Sequence, residues 1–305
     1  MRNLLLPVLL CVLLPFQKLD AQYYFLNDKY YDNPVVFELG LTGGVMNCFT
    51  DLGGKKGIGR NFIKDLRWKY AKPAYGIYFN AMYRNAIALR LEGTFGEVSA
   101  YDSILKAVAS STYGRYERNL SFKSRISEIQ LGAEIHPLHF RNYDEKEPPP
   151  YSPYIVLSVG YFSFDPQAFM NGQWYPLQPL RTEGQGFAEY PDRKPYKLSQ
   201  VNFGLGMGLK YEINTTFNVR LEFLHRILQT DYLDDVSTTY INPDLFYNYL
   251  PLNRAAVAEQ ISFRRDELNP SDIYPVDGQR GDPADNDSYF TILLKFGFIF
   301  GRQLR

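Results

Sequence analysis

The chain of 305 residues carries 33 basic and 33 acidic side chains, so no net charge draws it toward nucleic acid or a strongly acidic surface. Tyr (25) and Phe (22) are abundant while the mean hydropathy is -0.30, which excludes a bundle of membrane helices but suits a barrel whose inward half is polar. The one helix-like apolar run, Leu4 to Phe16, follows Arg2 and precedes Leu19-Asp20-Ala21, reading as a signal peptide cleaved before Gln22, although Leu19 is an imperfect fit to such a site. Residues 1–21 are then removed and 22–305 form one outer-membrane barrel domain. Cys11 falls in the discarded segment, leaving Cys48 as the only cysteine of the mature chain and no internal disulfide framework.

Taken in order, Val35, Phe37, Leu39, Leu41 and Val45 alternate with Glu38, Gly40, Thr42 and Gly44, the period of two that defines a strand. A long polar segment, Asn47 to Lys72, follows. The second strand, Ala74 to Met82, turns through Tyr83-Arg84-Asn85 into a third, where Ile87, Leu89, Leu91 and Phe95 oppose Ala88, Arg90, Glu92 and Thr94. After Ser99 to about Arg118 comes a fourth strand with Leu120, Phe122 and Ile126 on even positions but Ile129, Leu131, Ala133 and Ile135 on odd ones, which predicts a bulge near Ser127. A linker with Pro137 and Pro148-Pro149-Pro150 precedes the fifth strand, Ile155 to Tyr161. Phe164 to Tyr196 is another long segment.

Gln200 to Arg226 then forms the clearest hairpin of the chain. Val201, Phe203, Leu205, Met207, Leu209 and Tyr211 share one face, and after the turn Glu212 to Thr216 the series continues with Phe217, Val219, Leu221 and Phe223. The opposite face carries Gly204, Gly206, Gly208, Lys210, Arg220 and Glu222. A soluble barrel would also alternate, but glycines crowded among charges fit a cramped interior better than a wet surface, so the apolar face is expected to meet lipid. The reverse register would leave Lys210 and Arg220 in hydrocarbon at roughly 2–4 kcal/mol each. Gln229 to Ser288, rich in Asp, Asn and Pro, leads to the last strand, Tyr289 to Phe300.

These eight strands predict an all-β, eight-stranded antiparallel transmembrane barrel. The connections run long, short, long, medium, long, short, long, as in outer-membrane barrels with short periplasmic turns and long outer loops. The expected location is the cell outer membrane, with membrane lipid as the first partner.

An interior this narrow is filled by its own side chains. The inward set holds Glu38, Glu92, Glu134 and Glu222 against Arg90, Lys210, Arg220 and Lys295, a mutually neutralising plug, with an ion or proton path as the alternative. Asp231, Asp234 and Asp235 sit beyond the seventh strand, where they either order a loop through Asx turns or hold Ca²⁺, though without EF-hand spacing. His136 and His139 flank a turn as polar rim residues. Neither they nor His225 have a defensible metal spacing, so no metal or cofactor is expected. No nucleophile elbow or phosphate loop is present; an acid/base role for Glu38 with Glu92, or a lipid-modifying rim site at His225 with Ser199, is the enzymatic alternative to a non-catalytic protein.

The stretches Asn171 to Gly186, holding Trp174, Thr182, Glu183, Gly184, Gln185 and Gly186, and Thr230 to Ser237, holding Asp231, Tyr232, Asp234 and Asp235, resemble the PorG-like outer-membrane barrel family of Bacteroidota. The resemblance covers about Val35 to Tyr240 and the last strand, and leaves the insert Ile241 to Asp287 unmatched. It implies a non-catalytic accessory of the type IX protein secretion system that associates with the periplasmic ring proteins. Geometry, rather than the resemblance, offers the Pro-rich turn Pro137 to Pro153, the largest of the three expected on the periplasmic side, as the contact surface. A stand-alone OmpA-like structural or adhesin barrel, binding a surface partner through its outer loops, is the other reading. Taken singly, the motif residues also serve simply to fold the outer loops over the barrel mouth.

Overall fold

The computed structural model describes residues 30–53, 70–112, 114–140 and 150–304. The expected signal peptide, most of the first outer loop and Pro148-Pro149 lie outside the described residues. The strands are β1 (Tyr30–Phe49), β2 (Lys72–Tyr83), β3 (Ile87–Tyr101), β4 (Ser121–Ile135), β5 (Tyr151–Ser163), β6 (Pro166–Met170), β7 (Gln173–Pro176), β8 (Ser199–Glu212), β9 (Phe217–Ile227) and β10 (Ser288–Leu304). Their order is β3-β2-β1-β10-β9-β8-β5-β4, and β4 pairs back onto β3. The ring of eight antiparallel strands is therefore closed, and the short β6–β7 hairpin hangs from the outer end of β4. No helix among the described residues is long and apolar enough to cross a membrane.

Alternation sorts the side chains as the pleat requires. Leu131, Leu157, Leu205 and Leu221, from four different strands, are each 53–55% exposed and point outward. Surrounding apolar residues do the same on every strand of the ring, and a continuous bare apolar girdle of this kind is stable only against hydrocarbon. Aromatics gather toward the short-turn end, among them Tyr83, Tyr151, Tyr211, Phe217, Phe298 and Phe300. The interior is tight. A Cβ on Gly208 would land in the Tyr154 ring, and one on Gly40 in the Tyr78 ring, so glycine there makes room for a tyrosine across the lumen.

In the three-residue turn between β2 and β3, Arg84 (φ 50) and Asn85 (φ 54) are both left-handed, and the Ala86 amide donates back to the Tyr83 carbonyl (3.1 Å). The expected bulge near Ser127 is absent: β4 pairs with β3 without interruption from Ser121 to Ile135. Phe122 and Ile126 face inward like Glu128 and Gln130, and only the chemistry of the inward face changes. The strands outrun the membrane; β1 has 20 residues, β3 and β4 have 15 each and β10 has 17, against the roughly 9–11 that a crossing needs. Beyond the membrane their inward side chains belong to an apolar core. The register does shift elsewhere, between Asp32 and Phe37 of β1 opposite β10, where Gly301 has φ 98.

That outer core joins strand ends and loops. Met46, Val98, Phe122, Ile126, Phe162 and Leu293 from the barrel meet Leu177, Leu180, Phe187, Leu233 and Ile241 from the loops. The insert contributes two helices, α1 (Asp244–Tyr249) and α2 (Leu252–Ser262), which bury Phe246, Ala255, Ala258 and Ile261 in the same core. The described parts of the long loops are thus a folded cap.

Replacing the lipid-facing Leu205 by Arg should destabilise the barrel by about 2–4 kcal/mol, measured by reversible urea unfolding in bilayers. A neutral result would contradict the outward orientation.

Candidate functional site: a sealed lumen under a folded cap

The lumen ion network is built from strands far apart in sequence. Arg90 on β3 meets Glu92 (3.0 Å), Glu134 of β4 (2.9 Å) and Glu222 of β9 (2.5 Å). Lys295 of β10 meets Glu92 (2.6 Å) and Glu222 (2.8 Å). Arg220 of β9 binds Glu134 (2.8 Å) and Glu38 of β1. Tyr78 donates to Glu38, Tyr154 donates to Glu222 (2.7 Å) and Asn80 donates to Glu134 (2.9 Å). Seven of the eight charges expected inside converge here, while Lys210 pairs instead with Glu212 (2.9 Å) at the end of β8. Glu38 and Glu92 are each held by cations, which leaves neither free as an acid or base.

Sequence reasoning did not single out a second tier above it. Arg226 binds Glu128 (2.9 Å) and donates to Thr291 (2.5 Å), and Asn202 bridges Glu128 (2.8 Å) and the Tyr289 hydroxyl (3.0 Å). Alternation does put Arg226 and Glu128 on the inward faces of their strands, but it cannot show that the two meet.

At the short-turn end, His136 and His139 are buried rather than placed on a rim, at 0% and 7% exposure. Ser152 Oγ lies 2.9 Å from His136 Nδ1 and 3.3 Å from His139 Nδ1, and His136 Nε2 lies 3.3 Å from Glu134. The connectivity is that of a nucleophile, a base and an orienting carboxylate. Yet Ser152 is buried, Glu134 is already claimed by Arg90 and Arg220, and the adjoining cavity of about 10 Å³ holds no more than one water. The trio serves as a polar stopper. The rim pair fails on geometry: His225 is paired opposite Leu205 on β8, six residues and about 20 Å along the strand from Ser199.

The outer motifs come together with one exception. Glu183 is fully buried and accepts from the Ser237 and Thr238 amides (3.0 Å each), the Thr238 hydroxyl (2.7 Å) and Arg280 Nη1 (2.8 Å). Asp235 accepts from Thr182 (2.5 Å) and from the Tyr196 hydroxyl (2.6 Å), and the Tyr196 ring stacks on Tyr232 at 4.9 Å. Asp234 accepts from the amides of Leu52 (3.2 Å) and Val236 (2.9 Å). Gly184 (φ 71) and Gly186 (φ 84) take left-handed backbone, and the Gln185 side chain accepts from the Glu183 amide (3.2 Å). Trp174 stands apart on β7, against Phe169 and under the Lys123 ammonium, 3.6 Å from its ring centre. Sequence reasoning missed Arg280 and the pair Arg118–Asp102 (2.8 Å), whose guanidinium also donates to the Arg280 carbonyl (2.6 Å). The residues joined are too distant in sequence for any local pattern to show them.

Burial pushes the Asp231 carboxyl up to about 9 and, with Asp51 beside it, that of Asp234 up to about 8; Asp235 and Asp51 rise to about 6 for the same first reason. Asp287 is also raised by burial and by Asp234 and Asp231.

No protein-family model matches the chain, and no characterised protein matches it in sequence. The resemblance to the PorG-like family gains nothing from either comparison. Solved structures similar to this chain include the N-terminal β-barrel domain of Pseudomonas aeruginosa OprF, at 10% identity over 88% of this chain and 99% of that one, TM-score 0.35. Neisserial surface protein A is similar at 7% identity over 86% of this chain and 96% of that one, TM-score 0.36. Ail, the attachment invasion locus protein of Yersinia pestis, solved with sucrose octasulfate, shows 10% identity over 87% and 97%, TM-score 0.33. Similarity at this level carries no argument about activity; the barrel rests on its own strand pairing.

Replacing Arg90 by Leu leaves Glu92, Glu134 and Glu222 facing one another without their shared cation. The expected cost is about 3–5 kcal/mol in bilayer unfolding, partly recovered by adding Glu222→Gln. The raised carboxyls set a pH dependence. The folded cap keeps protons that the unfolded chain releases near pH 4, so cap stability falls as pH rises from about 4 toward the folded values and levels off above about 9. Hydrogen-exchange protection over residues 233–237 should be higher at pH 5.5 than at pH 8.5, and the difference should shrink in Asp231→Asn/Asp234→Asn.

Proposed function

We propose that this chain is an integral outer-membrane protein without catalytic or channel activity, and that its working surface is the folded cap presented outside the cell. The observation that carries the reading is the double closure of the barrel: an ion network fills the lumen and an apolar cap core covers its mouth. Crossing by strands alone, with both ends of the ring on the side of the short turns, supports the outer membrane as its location. The cap then acts as a rigid platform for a macromolecular partner at the surface.

A second reading, accessory service to the type IX secretion system through its periplasmic ring proteins, is supported by the loop segments that resemble that family. Those residues are spent largely on holding the cap together, so a ring contact falls to the short turns on the other side. Part of the Pro137 to Pro153 turn, at residues 141–149, lies outside the described residues.

Reconstituted into planar bilayers, the protein should show no ohmic conductance steps; steady single-channel current would overturn the closed reading. Crosslinking on intact cells distinguishes the two roles. Recovery of partners through the cap supports a surface binder, whereas recovery of periplasmic ring proteins that persists after deletion of 244–262 supports the secretion role.

A further inference from the structure

We propose that the lumen holds a single sodium ion beside Glu92, a site that rests on the sealed-barrel reading and deepens it. The charges of the middle network do not balance. Four carboxylates, Glu38, Glu92, Glu134 and Glu222, face three cations, Arg90, Arg220 and Lys295. Neither neighbouring tier makes up the difference. Lys210 is cancelled by Glu212 and Arg226 by Glu128, while burial holds His136 below its ordinary pKa and so in the neutral form. One negative charge is left over in a space closed to water, where an uncompensated ion is strongly destabilising.

Unpartnered oxygens mark where the cation sits. Glu92 turns Oε2 to Lys295 (2.6 Å) and to Arg90 Nε (3.0 Å), whereas its Oε1 is buried and has no hydrogen-bond partner among the described residues. Thr94, the next inward residue of β3, and Thr42 of β1 present buried hydroxyls in the same condition. Strand pairing brings them to one level: Gly76 of β2 lies opposite Thr42 on one side and Thr94 on the other, with no side chain to stand between them. Across from Glu92, Gln130 of β4 has an unpartnered Nε2, while its Oε1 accepts from Ser158 (3.0 Å). Exchanging the two ends of that amide makes Ser158 the acceptor and puts a fourth oxygen in place of the nitrogen. The ion binds these oxygens directly or through water. Hard oxygens with one unit of excess charge select a monovalent ion, since a divalent one would overshoot the balance beside Lys295 and Arg90. The space is tight: a Cβ on Gly76 would run into the Gly93 carbonyl and come within 3.0 Å of Thr42 Oγ1, so sodium fits better than potassium.

The test follows urea unfolding of the full mature barrel in liposomes at neutral pH and fixed ionic strength, with N-methylglucamine chloride replaced stepwise by sodium or potassium chloride. One ion bound to the folded state alone raises the folded-to-unfolded ratio about tenfold for each tenfold rise in sodium above its dissociation constant. The expected result is that slope in sodium, a smaller one in potassium, and loss of the sodium effect in both Thr94→Val and Glu92→Gln. The first variant keeps the charge and the second keeps the shape, so loss in both separates the ion from a change in packing. Equal gains from the two salts, a gain that survives both substitutions, or no gain from sodium, which leaves the balancing charge to a proton, would each overturn the site. Gel mobility before and after heating verifies that each variant folds. Steady single-channel current would sink the sealed-barrel reading itself, whereas a closed barrel indifferent to sodium sinks only the ion.

Discussion

Closure governs this structure. In hydrocarbon every backbone amide and carbonyl must find a partner within the protein, and a sheet satisfies that only when its first strand meets its last. Here β1 pairs with β10, and β3 with β4, so no edge of the eight-stranded ring is left open. The side chains follow: a ring this small has apolar residues outside because it has no other place for them, and polar residues inside because they can neutralise one another there.

The interior is organised in layers along the barrel axis. A polar stopper of His136, His139 and Ser152 closes the short-turn end, the Arg90–Arg220–Lys295 network fills the middle, and Arg226 with Glu128 forms a further tier. Above these the same inward positions turn apolar and merge with the cap. Buried ion pairs add little net stability compared with a well-packed apolar core. They do impose one strand register, since a slip of one residue would carry each of these charges to the lipid face.

Alternation made most of the barrel legible in the sequence, including the inward placement of Glu38, Arg90, Glu134 and Arg220, because a strand's period is fixed by its backbone. Ser127 shows where that reading breaks. If the inward face is polar throughout, apolar Phe122 and Ile126 imply a change of phase, whereas the strand only passes from lumen to cap core. The Asp231 to Asp235 cluster was visible as a loop-ordering device. Its partner Arg280 was not, since it lies within an unmatched insert and reaches Glu183 only through the tertiary fold. Likewise the insert's first helix is short, and its packing against Phe187 has no local signature.

The lumen network also bears on how the barrel is assembled. Glu38 arrives on the first strand, and its arginine, Arg220, on the penultimate one, 182 residues later; Lys295 on the final strand answers Glu92 on the third, 203 residues away. A sheet inserted strand by strand would carry unmatched carboxylates into the bilayer until the very end. Zipping of the seam and quenching of the interior charge are therefore a single event, which makes partly inserted forms costly and entry into the membrane close to all-or-none.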